Sequence, residues 1–136
     1  KIYNKGKYAK ATANMDKFIG AVTMAQVETG LRLHDVTGSW CTGCNGCEGI
    51  DLRDSTGTCY TSWISARDAI SSLISGQVDL NILARDPWGS PYLLDENEGQ
   101  DPANPCVYDV IRSAGPDGFS GTSDDLSATI PFSHCR

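Results

Sequence analysis

The stretch KIYNKGKYAKATANMDKFIGAVTMAQVETG (residues 1–30) decides the fold of this chain. It contains no proline, and apolar residues recur mostly at intervals of three, four and seven positions: Ala11, Met15, Phe18, Ile19, Val22, Met24 and Ala25. This spacing predicts a helix with one apolar stripe, which Gly30 can end by adopting a positive φ. Such a helix would span roughly 45 Å at ~1.5 Å per residue, longer than a small domain needs. We therefore expect the rest of the chain to fold onto it as onto a spine.

The bulk composition is that of an ordinary globular domain. Of the 136 residues, 40% are hydrophobic and 21% are charged, so we expect one domain, residues 1–136, with its own core. The net charge of −6 argues against a nucleic-acid partner, because backbone binders normally present a basic face. Four lysines gather at the start, which indicates either a solvated helix face or a basic end beside a membrane or an acidic neighbour: Lys1, Lys5, Lys7 and Lys10.

The cysteine content points to an oxidising environment. Six cysteines are many for a reducing compartment, and the even count fits three disulfides outside the cytoplasm. No secretory signal is visible, and no apolar run approaches the roughly 18 residues that span a bilayer. We therefore expect that the precursor has further residues upstream of Lys1.

The cysteines form a close group of four and a distant pair: Cys41, Cys44, Cys47 and Cys59, then Cys106 and Cys135. The spacing of the first group leaves open a zinc site on its four cysteines, or with His34 in place of Cys59, although disulfides are the expectation. Cysteines two residues apart seldom meet the Cα separation and dihedral of a disulfide, so we expect this group to bond to distant cysteines. Among the 15 possible connectivities we name Cys106 with Cys135, which would staple the C-terminus to the second strand.

The remaining pattern predicts an α+β fold in which the long helix packs on a small antiparallel sheet. Residues 31–83 form a cysteine-rich region: a short extended or turn segment to Val36, a loop over 38–58, a second helix from Thr61 or Ser62 to Gly76, and a strand or irregular crossover over 77–83. Residues 84–136 form the sheet region. It includes a turn over residues 86–91, in which Asp86 is expected to accept a hydrogen bond from the backbone two residues on. Its strands are expected at 92–94, 107–111 and 126–132.

A loop rich in glycine and aspartate lies between the last two strands, GPDGFSGTSDD (residues 115–125). Hard carboxylate oxygens on a flexible loop suit Ca²⁺, with backbone carbonyls completing six to eight ligands. The loop is not an EF-hand, because the twelfth residue from Asp117 is Ala128 rather than glutamate. A solvated acidic turn is the alternative.

Catalysis is not expected from this sequence. No nucleophile motif frames any serine, and His134 stands beside Cys135 near the chain end, where a base is poorly held.

Three blocks resemble the major pseudopilins of type II secretion and related type IV pilin-like proteins. They are RDPWGSPY (residues 85–92), SAGPDG (residues 113–118) and GTSDDL (residues 121–126), and they follow a helix that ends in Glu28-Thr29-Gly30. The resemblance covers residues 1–30 and 84–130. The region between departs from the family pattern, since residues 31–82 are longer than usual and hold four cysteines.

The resemblance implies a pilin fold and a calcium site. It carries over Asp117, Asp124 and Asp125 as ligands, with backbone carbonyls near Ala114 and Phe119 completing the shell. The family's helix begins with an apolar inner-membrane anchor that is absent here, so the chain corresponds to the soluble part.

The implied function is that of a structural subunit that polymerises through its N-terminal helix. Its partners would be further copies of itself, other pilins or pseudopilins and the inner-membrane assembly machinery. Its location would be a surface pilus or a periplasmic secretion pseudopilus. The alternatives are a secreted, disulfide-rich, calcium-dependent adhesion module and a zinc–cysteine protein.

Overall fold

The computed structural model of the chain describes residues 2–135. Within these residues, three α-helices, α1 to α3, precede three strands, β1 to β3. One 3-10 turn lies between α2 and α3 at Thr42–Cys44, and another between α3 and β1 at Asn81–Leu83. The bounds of the helices and strands are α1 Ile2–Thr29, α2 Leu33–Thr37, α3 Thr58–Leu73, β1 Leu93–Asp95, β2 Asp109–Ser113 and β3 Leu126–Ile130. The expected α+β class is confirmed, with a long first helix and a small antiparallel sheet.

Helix α1 follows the stripe that its sequence predicts. Gly30 ends it at φ 71° and donates its N–H to the Gln26 carbonyl at 2.8 Å. The buried positions extend from Ala11 to Ala25 and include Ala21, which the stripe did not count: Ala11, Met15, Phe18, Ala21, Val22 and Ala25. No residue from 4 to 10 is buried, so the first two turns of the described helix contribute little to the core.

An aromatic cluster joins α1, α3 and the sheet. The Trp63 ring meets Phe18 and Tyr92 edge-on, with centroids 5.0 and 5.5 Å apart. Its indole N–H donates to the Leu83 carbonyl at 2.9 Å, and the Tyr92 hydroxyl accepts from Asn14 at 3.1 Å. Each ring buries a large apolar area while its polar atom keeps a partner. Burial raises the pKa of Tyr92, with Asn14 partly opposing it.

The sheet has the order β1-β2-β3, with Leu94 opposite Ile111 and Ile111 opposite Ala128. The first strand is displaced from the expected one by one residue and the second by two, whereas β3 begins where expected and ends two residues earlier. Val107 and Tyr108, which were expected in the second strand, lie before β2 and are exposed. The Tyr108 ring stacks on Phe132, with ring centroids 4.1 Å apart.

The segment after α1 forms the short helix α2, where an extended or turn segment was expected. Asp35 accepts the N–H of Arg32 at 2.9 Å, which satisfies a donor at the helix start, and Gly38 ends α2 at φ 72°.

The middle region bears out one alternative and contradicts another expectation. Residues 77–83 form the irregular crossover and not the strand, because Leu80 and Leu83 are both buried around a 3-10 turn, a spacing that fits one turn of helix. The expected start of the second helix is wrong. Helix α3 begins at Thr58, three residues before the earlier of the two expected caps. Its first turn is drawn inward by Cys59, which is 5% exposed and bonded to Cys47.

All six cysteines are in disulfides, which pair Cys41 with Cys44, Cys47 with Cys59, and Cys106 with Cys135. The last pairing is the one expected. The expectation that Cys41 and Cys44 avoid each other is wrong, because the 3-10 turn between them brings their Cα atoms to 5.3 Å. No thiol is left for zinc, and His34 instead stacks on Trp40.

Three buried acidic residues hold the irregular segments around the sheet. Glu96 accepts the Thr42 N–H and the hydroxyls of Thr37 and Thr42. Glu98 accepts three consecutive backbone N–H groups, of residues 133 to 135, at 2.7–2.9 Å. Asp109 accepts the N–H groups of residues 97 and 98. Each carboxylate satisfies donors that no strand or helix reaches.

Asp109 and Glu98 have opposite pKa shifts. Burial raises the pKa of Asp109 from 3.8 to about 6, and the neighbouring Glu98 and Glu96 add to this rise. Burial would also raise the pKa of Glu98, but its three backbone donors outweigh it and leave that pKa below its ordinary value.

Asp109 predicts a pH dependence of stability. Between pH 4 and 6 the folded state binds more protons than the unfolded state, so this contribution is full below pH 4 and is lost as the pH rises through 6. We expect the unfolding free energy of the wild type, relative to Asp109→Asn, to fall from pH 4 to 7 in urea titrations. A difference that stays constant across this range would contradict the shift.

Candidate metal centre

Three carboxylates converge in the loop that connects β2 to β3. One oxygen from each of Asp117, Asp124 and Asp125 can be chosen so that all three lie within 4.8 Å of one another. All three side chains are half-buried. The structure thus brings together the three acidic residues that the sequence selects, and hard oxygen donors at this separation suit a cation such as Ca²⁺.

Local hydrogen bonds hold the carboxylates in place. Asp117 accepts the Phe119 N–H at 2.9 Å, Asp124 accepts the Asp117 N–H at 3.2 Å, and Asp125 accepts the Gly121 N–H at 2.6 Å. The Phe119 N–H chiefly lowers the pKa of Asp117. Asp117 therefore stays ionised well into the acidic range, as a metal ligand must.

The two expected carbonyl donors lie in different settings. Ala114 is 1% exposed and packs below the loop, while Phe119 is at the exposed tip and its carbonyl lies 3.4 Å from the Thr122 hydroxyl. That hydroxyl also lies within hydrogen-bond reach of Asp124 and Asp125. Thr122 is therefore a further oxygen in this cluster, which the sequence reasoning did not select.

Gly115 lets the two ends of the loop meet. Its φ is 76°, and a Cβ at this position would lie 2.3 Å from the backbone carbonyl oxygen of Asp124. Any larger residue would displace the chain that carries Asp124 and Asp125. Gly121 has a similar φ of 87°, but a Cβ at Gly121 would have no heavy atom within 4 Å.

The Asp-Pro-Trp-Gly turn is joined to the acidic loop through one serine. Asp86 accepts the N–H groups of Trp88 and Ser90 at 3.0 and 2.9 Å, which confirms its expected part in shaping the turn. Its other oxygen accepts the Ser113 hydroxyl at 2.7 Å, and the Ser113 oxygen accepts the Gly115 N–H at 3.3 Å. The turn therefore anchors the first residue of the loop. Burial raises the pKa of Asp86, although Ser113 opposes it.

The disulfide-closed ring Cys47–Cys59 packs against the other side of the loop. Its Leu52 is fully buried and donates its N–H to the Gly118 carbonyl at 2.8 Å. These contacts belong to a small second core beneath the loop: Cys47, Leu52, Cys59, Leu93 and Ala114. Sequence reasoning missed this arrangement, because nothing in the residues of the ring shows which surface it covers.

Arg53 brings a positive charge to the edge of the acidic cluster. It pairs with Asp51 at 2.7 Å and lies 3.4 Å from the Pro116 carbonyl. Its guanidinium lowers the pKa of Asp51 to about 2 and contributes to the lowered pKa of Asp117. The ring therefore supplies both apolar support and partial charge compensation.

The two histidines lie outside this centre. His34 stacks on Trp40, and its Nδ1 is 2.9 Å from the Ser39 carbonyl oxygen. His134 is exposed and its backbone N–H donates to Glu98.

No family model, no curated protein and no solved structure matches this chain. Within residues 2–135, none of the helices combines the length and the apolar content needed to cross a membrane.

The glycines of the loop allow a matched test of its packing. Gly121→Ala costs about 1 kcal/mol, because alanine disfavours a positive φ. In Gly115→Ala the added Cβ would also clash with the Asp124 backbone. We expect Gly115→Ala to lower the unfolding free energy by roughly 2 kcal/mol more than Gly121→Ala, measured by urea denaturation. Equal losses in the two variants would mean that the loop can shift without cost.

Proposed function

We propose that this chain is the globular part of a filament subunit of the pilin or pseudopilin type, with a structural role and no catalytic turnover. The observation that carries the proposal is the relation of α1 to the core. The helix has 28 residues, but its buried stripe begins only at Ala11. A helix that continues past its own core can contribute surface to a neighbouring subunit.

The beginning of α1 is braced against the domain. The Tyr8 ring meets Trp88 edge-on with centroids 5.1 Å apart, and the Trp88 indole N–H lies 3.4 Å from the Asn4 side-chain oxygen. The Asp-Pro-Trp-Gly turn therefore holds the exposed part of the helix in a fixed direction. A fixed direction is what a repeating helical assembly requires of each subunit.

The charge distribution favours contact between copies. Residues 1–17 hold five lysines and one aspartate, a net charge of +4, which leaves −10 for the rest of the chain out of the total of −6. Lys5, Lys10 and Lys17 are exposed. A basic helix start and an acidic globular part are complementary surfaces on one molecule, and head-to-tail contacts between such surfaces extend into filaments when they do not close into rings.

The three disulfides indicate an oxidising, extracytoplasmic location. We propose that the mature protein is anchored in the inner membrane by a preceding apolar segment before other pilins and the assembly machinery take it up. The disulfide-braced region of residues 31–82 favours a surface pilus over a periplasmic pseudopilus, because covalent cross-links resist shear.

We further propose that the loop over residues 114–125 binds one Ca²⁺ ion. Asp117, Asp124 and Asp125 would hold it, with carbonyls near Ala114 and Phe119 as further ligands. The converging carboxylates support this proposal, since the loop brings three like charges together, with Arg53 as a countercharge to Asp117. The ion would stabilise the folded conformation of the loop. The close approach of Gly115 to Asp124 and the hydrogen bond of Asp86 with Ser113 hold the same conformation.

Calcium should raise the melting temperature. At about 100 times the dissociation constant a ligand stabilises the folded state by roughly 2.7 kcal/mol, which corresponds to a rise on the order of 5–10 °C for a domain of this size. We expect this rise in calorimetry on adding CaCl2, its reversal with EGTA, and its loss in Asp124→Asn. Asp16→Asn, an exposed charge-matched control on α1, should keep it. Unchanged melting of the wild type in CaCl2 and EGTA would exclude the site.

Assembly can be tested on the full-length precursor, produced in bacteria together with a pilin assembly machinery. We expect the protein in the sheared surface fraction, seen as filaments by electron microscopy. Ala9→Arg should deplete it, because Ala9 is exposed on the part of α1 outside the core, whereas Gln100→Arg in an exposed loop should not.

The second candidate function is a secreted, calcium-dependent adhesion module that never polymerises. It predicts monomers in the medium with unchanged calcium stabilisation. The assembly experiment therefore separates the two functions whether or not the loop binds calcium.

A further inference from the structure

A cleft of about 440 Å³ lies between the segment of residues 36–42 and helix α3. Its volume is within the range of small-ligand sites, about 300–1,000 Å³. It lies apart from the acidic loop, and neither the filament nor the calcium proposal uses it. Six of its nine lining residues carry hydroxyl groups: Thr37, Ser39, Thr42, Thr61, Ser62 and Ser65.

The cleft is uncharged. No ionisable side chain is among its lining residues, and the remaining three are Val36, Ala66 and Ala69. Small apolar side chains beside hydroxyls suit a ligand with both C–H faces and hydroxyl edges. The absence of lining cations disfavours phosphates and carboxylates, which bind where Arg or Lys compensates their charge.

One wall presents fixed acceptors. The hydroxyls of Thr37 and Thr42 both donate to the buried carboxylate of Glu96, so their own protons are already used. A hydroxyl has one donor and two acceptor lone pairs, and these two can therefore only accept from a ligand. Thr37 already accepts the Ser39 N–H at 3.3 Å and so has one lone pair left. The carboxylate is held in turn by the Thr42 N–H at 2.8 Å.

The opposite wall presents adaptable groups. The side chains of Ser62 and Ser65 on α3 make no hydrogen bond within the described chain, so each can donate or accept. The ligand must therefore offer donors to one wall and either kind of group to the other. Hydroxyl groups on a sugar ring satisfy both requirements.

Both walls are rigid before any ligand arrives. The first is closed by the Cys41–Cys44 disulfide and by the pairing of His34 with the Ser39 carbonyl at 2.9 Å. The second belongs to α3, which Trp63 anchors in the core at 1% exposure. A rigid site loses little conformational entropy on binding, which favours affinity for a small ligand.

We propose that this cleft binds a neutral saccharide, with Thr37 and Thr42 accepting from ligand hydroxyls and Ser62 and Ser65 completing the contacts. This site would give the protein a carbohydrate-binding activity that requires neither polymerisation nor calcium.

The test uses the disulfide-intact chain and a panel of neutral methyl glycosides and short neutral oligosaccharides, observed by ¹H–¹⁵N NMR titration. We expect at least one sugar to cause saturable shifts confined to residues 36–42 and 61–69. The double variant Ser62→Ala with Ser65→Ala, which removes two exposed or half-buried hydroxyls, should lose this response. Ser65→Trp, which fills the cleft, should also lose it.

The matched control is Ser72→Trp, which lies two turns further along the exposed side of α3 and outside the cleft. It should bind the sugar as the wild type does, and the unperturbed core resonances of each variant report that it is folded. Shifts with no sugar of the panel, shifts that persist in both Ser65 variants, or a response only to a neutral Gly-Ala peptide would each overturn the proposal.

Discussion

The structure depends on hydrogen-bond acceptors for the buried backbone N–H groups of its irregular segments. Its three strands have only three, five and five residues, so the sheet ladder pairs few N–H groups. Buried carboxylates take over this task. Glu98 accepts three consecutive N–H groups near the C-terminus, and Asp109, Glu96 and Asp86 serve the neighbouring segments. An unpaired buried donor costs about 1–3 kcal/mol, so these four side chains decide whether long loops can pack at all.

The carboxylates and the disulfides act on the same segments. Glu98 holds residues 133–135 while Cys135 is bonded to Cys106, and Glu96 holds Thr42 inside the Cys41–Cys44 turn. The disulfide lowers the conformational entropy of the unfolded chain. The carboxylate holds the folded segment in one conformation. This combination explains how a domain with a small sheet can carry the enlarged region of residues 31–82.

The sequence was informative where periodicity or turn chemistry acts locally. The apolar stripe of α1, its end at Gly30, the Asp86 turn and the convergence of Asp117, Asp124 and Asp125 all follow from residues close together in the chain. The expectations about residues 31–83 were poorer. Helix α2 depends on a cap from Asp35, and the early start of α3 depends on the Cys47–Cys59 bond, a contact whose partner sequence spacing does not identify. The sequence disfavours the Cys41–Cys44 bond, because spacing alone does not predict the 3-10 turn that permits it.

The cysteine-rich region of residues 31–82 supports the acidic loop between β2 and β3. Leu52 of the Cys47–Cys59 ring bonds to Gly118 and packs on Ala114, at the base of the loop that would bind calcium. If the loop binds an ion, the ring and the ion stabilise the same conformation, and their effects are linked. If the ring stabilises the ordered loop, it raises the affinity of the loop for the ion. By reciprocity, binding of the ion stabilises the packing of the ring by the same free energy. A long, cross-linked region of residues 31–82 is then compatible with an ion-binding loop, because the ring reinforces the loop instead of competing with it.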